Sequence, residues 1–136
     1  MTKEVSFRKL ENKLLLSERI VGAESPLSSW YEKVCDKPLG DLTDGDLSVA
    51  CRQKLFPINV VPLVLERLRS TPLAGEMYDG ELLVSLSQIP AHYWENHIHE
   101  TNSLKAIISN ISMCEDEDVK SAILSLSEVV KTALKD

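Results

Sequence analysis

Residues 38–94 read PLGDLTDGDLSVACRQKLFPINVVPLVLERLRSTPLAGEMYDGELLVSLSQIPAHYW. Apolar residues return there at intervals of three and four, interrupted by acidic turns that contain glycine, so the stretch spells a succession of short amphipathic helices. Thr43 marks one helix start, with Asp44 and Asp46 where the positive helix end favours carboxylates, and Leu47, Ala50, Cys51 and Leu55 form its apolar stripe. Asn59 is the expected cap of the next, with Pro62 in its first turn and Val60, Val64, Leu65 and Leu68 facing inward. Thr71 and Pro72 end that helix and Gly75 permits a turn. Asp79 is then the expected cap of a short helix whose Leu82, Leu83, Leu86 and Ile89 stop before Pro90.

The same spacing extends outward on both sides. Ser25 followed by Pro26 is a helix start, with Leu27, Trp30, Tyr31 and Val34 on one face. Before it, KLLLSERIV is too short an apolar run to separate strand from helix, and a helix over Phe7–Leu16 is the preferred reading. After it, AHYWENHIHE (91–100) reads as a short helix, and Leu104, Ile107, Ile108 and Ile111 as another. Val119, Ala122, Ile123, Leu126, Val130, Ala133 and Leu134 make the clearest stripe, led in by the acidic run Glu115 to Asp118. No alternating Val/Ile-rich segments with hairpin turns interrupt this pattern. The expected fold is all-α: a single compact domain over residues 1–136, built from about seven short helices packed as antiparallel neighbours, with 1–24 the least defined.

Composition narrows the function classes. The 136 residues suit one domain, and 43% hydrophobic with 26% charged residues is a globular balance. With 21 acidic against 15 basic residues the net charge is −6, which disfavours direct nucleic-acid binding and favours a basic partner. No apolar run is long enough to span a bilayer and the start MTKEVSFRK lacks a secretory signal, so a cytoplasmic protein without a membrane partner is expected. Cys35, Cys51 and Cys114 are widely spaced and fall in no CxxC pair; they read as reduced core thiols.

No motif carries catalysis. His92, His97 and His99 lie close in sequence, but residues two apart on a helix point about 200° apart, and a structural zinc site needs about four ligands. The cysteines stand among apolar or acidic residues, which raises a thiol's pKa and weakens it as a nucleophile. The acids Glu76, Asp79 and Glu81 could pair for acid–base work, yet helix starts account for much of such charge. Among the aromatics the tryptophans suit the core, whereas Tyr78 sits in an acidic turn where its hydroxyl stays wet and its ring can cover an apolar contact. The chain reads as a binding protein and not an enzyme, with no cofactor and no metal.

The succession PLGDLTDGDLSVACRQ, VVPLVLERL, PLAGEMYDGELL and IPAHYW, with LENK near the start, resembles the immunity proteins of bacterial contact-dependent growth inhibition systems. The resemblance implies a cytoplasmic partner that binds a cognate toxin domain and blocks its active site. The expected toxin is a nuclease, an RNase in particular, whose basic cleft an acidic protein would cover. The residues expected to meet it are Asp41, Asp44 and Asp46, then Glu76, Tyr78, Asp79 and Glu81, then Glu115, Asp116, Glu117 and Asp118. The competing readings are an acidic helical adaptor of another complex and a small metal-dependent hydrolase using His92 and His99.

Overall fold

Helix ends organise this chain, because each short element needs its free amides and carbonyls satisfied before packing can hold it. The computed structural model describes residues 4–14, 26–111 and 116–134, with backbone alone at 11–14 and 26–28. Among the described residues there are eight α-helices and no strand: α1 (Phe7–Leu14), α2 (Pro26–Val34), α3 (Asp44–Arg52), α4 (Pro57–Ser70), α5 (Glu81–Leu86), α6 (Ala91–Glu95), α7 (Ile98–Ser109) and α8 (Glu117–Leu134). A 3₁₀ turn, Leu39–Asp41, follows α2. The all-α class is therefore established, and the chain divides into two compact units, Met1–Leu42 and Thr43–Asp136.

In the first unit, the Ser6 hydroxyl accepts from the Lys9 amide (3.3 Å) and so caps α1. The lead into α1 and its first turn are tied down by Leu39 N–H to Val5 O (2.8 Å) and Arg8 N–H to Cys35 O (2.9 Å). Phe7, fully buried, stacks on Tyr31 at 5.9 Å between ring centroids, with Trp30 6.3 Å from both rings. The Arg8 guanidinium meets Asp36 (2.6 Å) and the Cys35 sulfur (3.0 Å). The Ser25 cap lies outside the described residues, as do 15–24, which carry most of KLLLSERIV.

In the second unit, α3 opens on a reciprocal cap: Asp46 N–H donates to the Thr43 hydroxyl (3.0 Å) and Thr43 N–H to the Asp46 carboxylate (3.2 Å). It closes on a Schellman turn, with Leu55 N–H to Ala50 O (3.0 Å), Lys54 N–H to Cys51 O (3.1 Å) and Lys54 left-handed at φ 56°. This turn overturns Asn59 as the next cap. The chain enters α4 at Pro57, whose fixed φ and missing N–H cost nothing in a first position, and Phe56 is the N-cap residue at φ 41°. Pro62 consequently sits inside α4 and leaves the carbonyl of exposed Ile58 without its usual donor.

The core of this unit is Leu47, Ala50 and Cys51 of α3, Val60, Val61, Val64, Leu65 and Leu68 of α4, and Leu82, Leu83 and Leu86 of α5, joined by Trp94, Leu104 and the α8 stripe. That stripe is Val119, Ala122, Leu126, Val130 and Ala133, one face of an 18-residue helix. The packing is not simply between sequence neighbours. The most extensive helix contact joins α3 to α5, and α8 packs against α5 and α6 as well as α7. The segment expected as one helix over 91–100 is split by a break at Asn96 and His97, where the buried Thr101 hydroxyl shares its proton between Trp94 O (2.8 Å) and His97 O (2.9 Å).

Candidate acidic loop surface

The link from α4 to α5 is a loop closed around one carboxylate. Glu81, at the first position of α5, is only 3% exposed, and its Oε1 accepts from the amides of Glu76 and Met77, each at 3.0 Å. Its Oε2 lies 3.7 Å from Arg52 Nη1, which also donates to the Ser85 hydroxyl (3.1 Å). Backbone bonds finish the closure: Gly80 N–H to Leu73 O (2.8 Å), Leu82 N–H to Ala74 O (3.1 Å) and Glu81 N–H to Tyr78 O (3.2 Å). Two glycines make this possible. A side chain at Gly75 would run into the Tyr78 carbonyl, and Gly80 is left-handed at φ 89° where a side chain would run into Val119 of α8.

Glu81 was expected at the partner surface, but its burial gives it a different post: it fixes the loop from inside. Asp79 was expected to cap α5. The N-cap is Gly80, because the turn requires a left-handed residue there, and no side chain caps this helix. What the loop turns outward is Met77, 79% exposed, with Tyr78 at 41% and exposed Asp79 and Glu76. Met77 carried no sequence signal beyond being an apolar residue inside an acidic, glycine-bounded turn, where no helical period assigns it to a core.

The other acids gather around this loop through helix ends. The Glu76 carboxylate reaches the first turn of α3, accepting from Gly45 N–H (3.3 Å). Beside it Asp44 holds Arg67 Nη1 at 3.0 Å, and Asp46 is engaged in the α3 cap. On the α8 side, Asp116 is the cap, accepting from the amides of Asp118 (2.8 Å) and Val119 (3.1 Å). Glu117 and Asp118 are exposed, with Glu117 3.9 Å from Lys120 Nζ.

Partial burial first, and then the charges of Glu81 and Asp118, push the Tyr78 phenol above its ordinary pKa, with Arg52 opposing; the loop and the start of α8 thus share one electrostatic neighbourhood. Asp44, Asp46, Glu76, Asp79, Asp116, Glu117 and Asp118 belong to one unit; Glu76 and Asp79 lie on the loop, Glu76 joins it to the α3 start that carries Asp44 and Asp46, and Asp116 and Asp118 act on its Tyr78. Asp41, exposed on the 3₁₀ turn, belongs to the other unit, and Glu115 lies outside the described residues.

The histidines do not converge. His97 stacks on Tyr93 at 4.0 Å and its Nδ1–H donates to the Tyr93 carbonyl (2.7 Å), while His92 and His99 are exposed on α6 and α7. Among the described residues, no three His, Cys, Asp or Glu side chains are grouped to hold a metal ion. Cys35 and Cys51 are buried free thiols, and Cys114 lies outside the described residues. Desolvation pushes the Cys51 thiol up to about 12. Among the described residues no helix is long and apolar enough to cross a membrane.

A comparison with curated proteins gives no match. A family model does match, over residues 17–104, a span that holds the quoted 38–94 stretch, including the whole closed loop, and stops before α8. With well over half of its length covered in this way, the chain belongs to the CDI immunity proteins, the family of contact-dependent growth inhibition.

Proposed function

We propose that this protein neutralises its cognate toxin by laying the acidic loop surface over the basic active-site cleft of a nuclease, an RNase in particular, in the cytoplasm. Membership of the immunity family implies a toxin partner and an inhibitory, non-catalytic role. The observation that supports the finer reading is the convergence of acids from three separate stretches, 44–46, 76–79 and 116–118, around one rigid loop in a chain of net charge −6. A nuclease holds phosphates with Lys and Arg, so its cleft is complementary to such a surface.

The test is co-purification with the toxin domain encoded beside this chain, followed by charge reversal at exposed positions. Glu76→Lys with Asp79→Lys, and separately Glu117→Lys with Asp118→Lys, avoid the buried Glu81 and the Asp116 cap. At least one pair should weaken binding about tenfold or more and lose protection of cells, with helicity unchanged. Full protection by both variants would reject the acidic mechanism. A toxin without nuclease activity would reject the nuclease, and a neighbouring gene product that is no toxin would favour the adaptor reading.

A further inference from the structure

Resting on that reading, we infer that Met77 and Tyr78 form a preformed plug, which enters an apolar recess ringed by Lys and Arg on the toxin and sets the lifetime of the complex. Met77 is the most exposed of the large hydrophobic side chains described, and Tyr78 follows it directly in the chain. The hydrogen bonds described as closing the loop use neither side chain. The Glu81 carboxylate holds the Met77 backbone amide, and the backbone bonds at Gly80, Glu81 and Leu82 hold the rest. With its backbone already held, the loop has little main-chain entropy left to lose on binding, so that only the side-chain rotamers of Met77 and Tyr78 remain to be fixed, a condition that favours a strong central contact. Methionine adapts its shape to a recess, and tyrosine adds area with a polar tip.

The surrounding charge decides the occupant. Glu76, Asp79 and Asp118 flank the plug, so a second copy of this chain or an anionic lipid surface would set like charges against it. A protein face with an apolar centre and a basic rim is complementary on both counts. The two parts have separable kinetic signatures: rim charges steer encounter and act on the association rate, whereas a desolvated central side chain acts on dissociation.

The experiment follows binding of the purified toxin domain to immobilised immunity protein over a range of salt. Met77→Ala should raise the dissociation rate about 30-fold or more, the weakening that defines a hot spot, and leave the association rate and its salt slope within about twofold. Asp79→Asn with Asp118→Asn should do the reverse. Thermal melts monitored by circular dichroism establish that each variant is folded, as expected for exposed positions. A Met77→Ala dissociation rate within about threefold of wild type would overturn the plug and leave the immunity reading standing. Failure of the wild-type protein to bind the toxin would overturn both.

Discussion

Removing the Glu81 carboxylate takes the acceptor from two amides at once and leaves Arg52 facing a gap. The Arg52 side chain is 44% exposed, so the ion pair itself contributes little, and the hydrogen bonds to the buried oxygen dominate. Glu81→Ala should lower unfolding free energy by about 2–4 kcal/mol, and Glu81→Gln, which keeps a carbonyl acceptor, by about half as much, as read from urea denaturation. Cys51 makes a pH prediction. Its folded pKa is pushed from 9.0 up to about 12, so above pH 9 the unfolded chain loses this proton while the folded chain keeps it. Stability should therefore fall as pH rises from about 9 toward 12, with this thiol contributing roughly 1.4 kcal/mol per pH unit, and the fall should be shallower in Cys51→Ala.

At the scale of elements, the turn between α3 and α4 holds two non-glycine residues in left-handed geometry, Lys54 and Phe56. Lys54 occupies the position that glycine favours in a Schellman turn, and its side chain is exposed. Lys54→Gly should raise stability by about 0.5–1 kcal/mol, the left-handed cost of about 1–2 less the extra entropy of an unfolded glycine, measured by the same denaturation.

This turn also marks where the sequence was hard to read. Thr43 with Asp46 is a local capping pattern, and α3 starts where that pattern says. The α8 stripe is equally plain because one face of a long helix is buried throughout. The start of α4 was not legible, since its position depends on how α3 ends and Lys54 does not announce a left-handed turn as glycine would. The α6–α7 break was hidden for a similar reason: the bonds that make it come from Thr101, a polar side chain in the next helix.

For the whole molecule, the net charge of −6 and the grouped acids predict that, with a toxin cleft as basic as the one proposed, the association rate falls steeply as salt rises. Stopped-flow mixing at two ionic strengths checks it, and a rate indifferent to salt would argue against steering. The residues of this surface were mostly visible in the sequence as acids. Their arrangement was not, because it depends on Glu76 folding back onto α3 and on Gly80 meeting Val119 of α8, contacts between distant parts of the chain.

The division of labour within the closed loop bears on how such a protein could diversify. Gly75, Gly80 and Glu81 specify its path, while the hydrogen bonds that Met77 and Tyr78 lend it run through a backbone amide and a backbone carbonyl. Met77 and Asp79, both turned outward, are therefore open to exchange at little cost to folding, so drift there could re-pair the protein with an altered toxin while its scaffold is inherited unchanged.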